Sequence, residues 1–216
     1  MQQILNVITK SDTYDLVTLA EMKMKMFIPT TDTSKDALLQ ELITNISETI
    51  AKMCNRVFAY EKVDESYYQL SDDCYTQRLY LSRWPVVKTD IETFMQNQID
   101  ISSWLADGTC VLEEETGTIY LSSSNGPWTG QVDVVYSGGY QLPDGAPGTL
   151  KFAVEAVIRE SYMSWIRNPA LFGVRLLTHK QARIGYYGPN MFPVMGLPQT
   201  WKTVESLIYK YIRHWV

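Results

Sequence analysis

The side chains best suited to chemistry are few, and they do not converge. The two histidines, His179 and His214, lie outside any HExxH, HxH or Cys–His spacing, so neither is placed to share a metal ion with a second ligand. The cysteines Cys54, Cys74 and Cys110 are odd in number and form no CxxC pair, which speaks against a disulfide framework or a zinc site and for a reducing compartment. Glu113, Glu114 and Glu115 are consecutive; along a strand they would point to alternate faces, so they predict a solvated turn rather than an acid/base pair. Asp72-Asp73 reads as a polar loop before it reads as a cation site. Asn45-Ile-Ser47 matches a glycosylation sequon but falls in the middle of a helical pattern and is set aside. No GxSxG elbow, GxxxxGK[ST] phosphate loop or GxGxxG fingerprint occurs. The expectation is a protein with no catalytic residue, no metal and no cofactor.

The elements that would position any site come next. With 45% hydrophobic and 20% charged residues over 216 positions, the chain has the make-up of a globular protein able to bury a core. Fourteen Tyr and six Trp make the chain aromatic-rich; many must be core, but aromatics are also favoured at protein interfaces. The net charge of −5 argues against a nucleic-acid-gripping surface; it suits ordinary solubility, or a wall past which DNA slides. No apolar run reaches the roughly 18 residues needed to span a bilayer, and MQQILNVITKSDTYDL lacks the pattern of a signal peptide. The expected setting is therefore the cytoplasm, with no membrane.

Thr18 followed by Glu21 makes a capping box, in which each residue satisfies a free donor of the other's helix start; a short helix is predicted over 18–26. Leu39, Leu42, Ile43, Ile46, Ile50, Met53 and Cys54 recur at helical spacing and predict a helix over 34–55. From 60 to 140 the period changes to two, with Val132, Val134 and Tyr136 alternating and turn signals about every ten residues, which predicts an antiparallel meander. Leu150, Ala153, Val154, Val157, Ser161 and Trp165 predict a long helix over 149–167, ended at Asn168-Pro169. Positions 170–197 carry no strong period and read as an arm. Pro198 is placed to open a last helix whose stripe is Trp201, Val204, Leu207, Ile208, Tyr211, Ile212 and Trp215. The predicted fold is mainly α with a small antiparallel β-meander inserted (α+β): a helical bundle core, an extended arm and a C-terminal helix. Its parts are an N-terminal extension at 1–15, a core at 16–168, and the arm with the last helix at 169–216.

Several stretches resemble the head–tail connector, or adaptor, family of tailed bacteriophages. Leu16-Val-Thr-Leu-Ala-Glu-Met-Lys23 is similar to that family's first helix. Asp36-Ala-Leu-Leu-Gln-Glu-Leu-Ile43 through Cys54-Asn-Arg-Val-Phe58 is similar to its second, which closes on a small residue, an arginine and an aromatic. Leu79-Tyr-Leu81 with Trp84-Pro85-Val86 resembles its strand and proline-valine turn. Gly117-Thr-Ile-Tyr120, Pro127-Trp128 and Val132 to Tyr140 resemble its closing strands, and Pro147 to Trp165 its third long helix. The resemblance covers about 16–168 and implies a structural protein of the virion, not an enzyme. It implies a twelvefold ring of identical subunits that docks under the portal protein, completes the head and meets a stopper or tail protein below. DNA would pass through without specific binding.

Within that reading the last helix either packs on the chain's own core or binds the portal or a neighbouring subunit as a helix in a groove. Trp201, Val204, Leu207, Ile208, Tyr211, Ile212 and Trp215 are the candidate partner contacts. Arg175, His179, Lys180, Arg183, Tyr186 and Tyr187 are candidate contacts of the arm, which has no acidic residue from Ala170 to Leu197. The competing expectations are a stopper or tail-completion protein of the same particle, a small hydrolase or nuclease, and a regulatory binding module.

Overall fold

A computed structural model describes residues 2–70, 77–122, 127–166, 176–179, 182–185 and 199–213. The chain forms two compact units interleaved along the sequence: Met1–Tyr14 with Arg56–Ala146, and Asp15–Asn55 with Pro147–Val216.

The first unit is built on strands. A five-stranded antiparallel sheet has the order β1 (Gln2–Thr9), β2 (Glu61–Leu70), β8 (Gly130–Gly138), β4 (Ile91–Gln96), β5 (Ile99–Asp100). A second sheet orders β3 (Arg78–Tyr80), β7 (Thr118–Leu121) and β6 (Cys110–Glu113). A short helix, α3 (Trp104–Asp107), joins them. The alternation in β8 does what period two requires: Val132, Val134 and Tyr136 are fully buried, beside Val63 and Tyr67 of β2. Trp128 anchors this core, with its ring centroid 5.8 Å from Phe94 and 6.5 Å from Trp104.

This architecture corrects the expected fold class. The chain is not mainly α, and its strands are not a small inserted meander: they make a unit with its own core, and the neighbours of β8 are β2 and β4 rather than the strands adjacent in sequence. Two physical reasons account for the difference. β1 is an edge strand exposed on one face and barely covered on the other, so its pairing is carried by the backbone and leaves no hydrophobic period to read. The turn at Asn97 and Gln98, with φ of 50° and 67°, has two non-glycine residues in the left-handed region, where Asn-Gly would have been the usual signal.

Buried polar groups fix the register. Glu65, fully buried, accepts from Ser82 N at 3.1 Å, Ser82 Oγ at 2.5 Å and Tyr136 Oη at 2.7 Å, and from Gln3 Nε2. Glu61 accepts from Arg83 Nε at 2.7 Å and from Tyr14 Oη at 2.6 Å. The Ser-Gly-Gly-Tyr stretch is explained at Gly139, where φ is 112° and a Cβ would stand 2.2 Å from the Ala59 carbonyl oxygen. Arg56 lies over the Trp84 ring, 3.1 Å from its centroid, and 4.6 Å from that of Phe58, and it donates to the Trp84 carbonyl. The arginine and aromatic seen in the sequence, Arg56 and Phe58, thus form a stacked cation site with Trp84 inside the unit.

The second unit is helical. α1 (Leu19–Lys25) begins with the predicted capping box, Thr18 Oγ1 accepting from Glu21 N at 3.0 Å and Glu21 Oε2 accepting from Thr18 N at 2.9 Å. α2 (Asp36–Met53) buries Leu39, Ile43, Ile46 and Ile50, and α4 (Gly148–Ile166) buries Leu150, Ala153, Val154, Val157 and Ile158. α2 packs on α4, and of the stripe expected on α4 Leu150, Ala153, Val154 and Val157 are buried; Ile158 joins them unexpectedly, Phe152 and Met163, which the spacing reads as widening the stripe, are exposed, and the side chain of Trp165 is not described. Ser47 is buried because its hydroxyl accepts from Leu16 N at 3.1 Å. A two-stranded antiparallel hairpin, β9 (Leu176–His179) with β10 (Ala182–Gly185), falls in the stretch read as an arm. The last helix is α5 (Gln199–Ile208), continued by a 3-10 turn at Tyr209–Tyr211.

Burial, then the Glu65 charge and its hydrogen bond, push the Tyr136 hydroxyl well above its ordinary value near 10. A phenol whose pKa is raised in the fold releases its proton first in the unfolded chain, so stability is complete below pH 10 and falls as pH rises beyond it. Urea melts at increasing pH should show this fall in wild type and a shallower one in Tyr136→Phe. At neutral pH the variant should lose about 1–3 kcal/mol, because Glu65 loses a donor and Arg83 N an acceptor.

Candidate functional site

The candidate contacts of the last helix divide sharply. Val204, Ile208 and Tyr211 are buried against their own unit, with α5 packed on α4. The Tyr211 hydroxyl lies 2.7 Å from Thr149 Oγ1 of α4, and Arg213 N donates to the Cys54 carbonyl at 2.9 Å, tying the helix to the end of α2. Leu207 and Ile212 are half-buried. Trp201 lies within α5, but its side chain is not described, and Trp215 is outside the described residues. The outward positions are Thr203, Glu205, Ser206, Tyr209 and Lys210, with Tyr209 66% exposed. Three members of the stripe therefore serve the core of this unit and reach a partner only if α5 undocks.

Of the arm residues, His179 lies in β9 and Arg183 in β10, in strands paired Ala182 to His179 and Arg183 to Thr178; their side chains are not described. Arg175, Lys180, Tyr186 and Tyr187 lie outside the described residues.

A feature that the sequence did not disclose is Phe27. α1 closes with Phe27 N donating to Met24 O at 3.1 Å and Ile28 N to Lys23 O at 2.9 Å, the two bonds of a Schellman cap, in which the left-handed residue is usually glycine. Here that residue is Phe27, with φ 58° and 94% of its surface exposed. The loop beyond it is held from inside: the buried Lys23 ammonium donates to Thr30 O at 3.2 Å, Asp32 O at 2.6 Å and Asp36 Oδ1 at 2.7 Å. A strained, exposed aromatic, with Met24 exposed beside it, is thus presented on a pre-organised loop. Only the isolated Phe-Ile-Pro after a helical run could have hinted at it.

Among the described residues no group of three or more His, Cys, Asp and Glu is placed to hold a metal ion. A hollow lined by Lys88, Leu105, Cys110, Leu112 and Glu114 contains a thiol. Burial, and then the Asp107 charge, push Cys110 up to about 12, so it stays protonated and a poor nucleophile at neutral pH. Among the described residues no helix is long and apolar enough to cross a membrane.

No protein-family model matches the chain, and no curated protein matches its sequence. Solved structures do match. A chain from the neck of an empty gene transfer agent particle, computed with C6 symmetry, superposes with a TM-score of 0.55 at 14% identity, over 99% of this chain and 97% of that one. This chain shares the fold of a particle neck protein. A second match, from the virion of a native gene transfer agent particle, has a TM-score of 0.51 with the same identity and coverage. The likeness runs through both units; at 14% identity it is a likeness of fold and carries no residue's role across.

The Phe27 cap gives a stability test. Phe27→Asn, which tolerates the left-handed region, should raise stability by about 0.5–1 kcal/mol in thermal melts. Lys23→Met should lower it by about 2–4 kcal/mol, because Asp36 and two loop carbonyls lose their shared donor.

Proposed function

We propose that this chain is a structural head–tail connector of the adaptor type in a tailed bacteriophage or phage-like particle. Copies assemble as a ring below the portal protein, complete the head and extend the DNA channel towards the tail. The observation that carries this reading is the fold match to a neck chain over nearly the whole of both proteins. The sixfold symmetry of the neck from which that chain comes supports a ring. A ring needs two different complementary patches on each subunit, because its contacts are head to tail. The net charge of −5 suits a channel that DNA traverses without being gripped. The partners are then the portal, identical subunits and a stopper or tail protein, and the role is not enzymatic.

In this role the last helix stays docked through Val204, Ile208 and Tyr211 and meets the portal or the adjacent subunit through Trp201, Trp215 and the half-buried Leu207 and Ile212. The basic arm residues Arg175, His179, Lys180 and Arg183, with Tyr186 and Tyr187, add contacts to the same partner surfaces. Electron microscopy of the chain mixed with portal protein from the same particle should show a ring of added density beneath the portal. Binding to the tail tube instead of the portal would assign the chain to the stopper or tail-completion position.

Two substitutions separate anchoring from contact. Ile208→Ala should cost about 2–5 kcal/mol of stability, as a cavity under a buried aliphatic does. Trp215→Ala should leave the melting temperature unchanged and weaken portal binding by about tenfold or more, as loss of an aromatic anchor does. Portal affinity unchanged in Trp215→Ala would remove that residue from the interface.

A further inference from the structure

Charge is shared unevenly between the two units. The strand unit holds fifteen acidic and six basic residues, a net of −9. The helical unit holds nine acidic and thirteen basic residues, a net of +4, and the two together make the −5 of the chain. The basic excess is concentrated: from Ser161 to Val204 the sequence carries Arg167, Arg175, Lys180, Arg183 and Lys202 and no Asp or Glu. Surfaces of opposite sign steer two copies towards a contact between unlike units and disfavour like against like.

The hollow on the strand unit shows where such a contact fits. Its volume is about 250 Å³, and Leu105, Ala106, Gly108, Cys110, Val111 and Leu112 make most of its wall. Gly108 ends α3 with φ of 83°, and no atom stands within 4 Å of where its Cβ would be, so the backbone there leaves the hollow open. Val111 is 57% exposed at its side. Sites for small molecules run to about 300–1,000 Å³; this one is of a size for a side chain. Its rim is acidic: Asp107, Glu113, Glu114 and Glu115 are all exposed. Val86 N donates to Glu114 O at 2.9 Å and Lys88 N to Glu114 Oε1 at 3.2 Å, which holds the acidic turn against the wall. Lys88 is the one basic residue of the lining, and its ammonium donates to the Leu105 carbonyl. An apolar hollow ringed by carboxylates calls for an aromatic side chain flanked by cations. The acid-free stretch supplies that chemistry, with Tyr186-Tyr187 following Arg175, Lys180 and Arg183.

We propose that this hollow is a socket in which a second copy of the chain seats Tyr186-Tyr187, with Arg175, Lys180 and Arg183 against the carboxylates of the rim. A desolvated aromatic anchors such a contact, and the charges around it set the choice of partner and the rate of encounter. Socket and plug belong to different units, so the contact is head to tail and can repeat around a ring. The identity of the neighbour as a ring subunit rests on the connector reading; the contact itself rests on charge and shape.

The test uses the full chain and a synthetic peptide of residues 174–187. The peptide should slow hydrogen exchange over 105–115 and bind about tenfold more weakly in molar salt than at low salt, because contacts between exposed charges are screened. The variant Glu113→Lys/Glu115→Lys, changed only on an exposed turn and so little shifted in melting temperature, should bind the peptide about tenfold more weakly or worse. Asp12→Lys/Asp144→Lys, which alters exposed acids outside the lining and rim, should bind it nearly as wild type does. Equal loss in both variants would reduce the attraction to net charge and overturn the socket. No binding at millimolar peptide, or equal binding by a peptide with both tyrosines changed to serine, would overturn it as well. In a mixture of full chains, Glu113→Lys/Glu115→Lys and Tyr186→Ser/Tyr187→Ser should form a one-to-one complex and stop, because one intact plug and one intact socket remain. Protection of 105–115 that does not depend on chain concentration would assign the socket to the chain's own arm and overturn the contact between copies. Binding between copies without a ring under the portal would sink the connector reading and leave the socket standing. A ring under the portal without that binding would do the reverse.

Discussion

A carboxylate buried out of contact with solvent constrains the strand unit. Glu65 sits in the middle of β2, fully buried, and its oxygens accept from groups at three other places in the chain: Gln3 on β1, Ser82 after β3 and Tyr136 on β8. Four residues back on the same strand, the buried Glu61 takes Arg83 and Tyr14. A slip of β1 or β8 by one residue would turn these donors to the opposite face and leave a charge buried without partners. The register of the sheet is thus set by polar satisfaction as much as by apolar packing. The core around Trp128 fills the space that this register defines.

The helical unit solves a similar problem differently. Lys23 is buried with Asp36 and two loop carbonyls around it, so the link between α1 and α2 is shaped by one ammonium group. The ion pair of Lys151 with Glu21 at 2.8 Å then ties α4 back to α1. α5 closes the unit with an apolar stripe that a solvent-exposed helix would have no reason to keep.

How much of this could be read from the sequence depended on where the deciding interaction lay. α1, α2, α4 and α5 were legible, because each carries its own period and α1 its own cap. The alternation in β8 was legible for the same reason. β1 was not, since Gln2–Thr9 owes its conformation to residues some sixty positions away, as in the pairing of Gln2 with Tyr68. The size of the strand unit was missed with it, and so was the balance between helix and strand. At the candidate contacts, the spacing from Trp201 to Trp215 showed a stripe but not what covers it. Coordinates alone showed Val204, Ile208 and Tyr211 facing α4. Phe27 left no more than the hint of Phe-Ile-Pro after a helical run, because a left-handed φ leaves no trace in residue type when the residue is not glycine.

The interleaving of the two units has a consequence for synthesis. β1 is made more than fifty residues before its partner β2, which begins at Glu61, and β8, which pairs with the other side of β2, ends only at Gly138. The whole of α1 and α2 emerges in between, and those helices wait in turn for α4 and α5. The strand unit is complete only at Ala146, after α1 and α2 have been made, and the helical unit only after the strand unit: a chain cut after Ala146 keeps the whole strand unit and parts the two halves of the helical one.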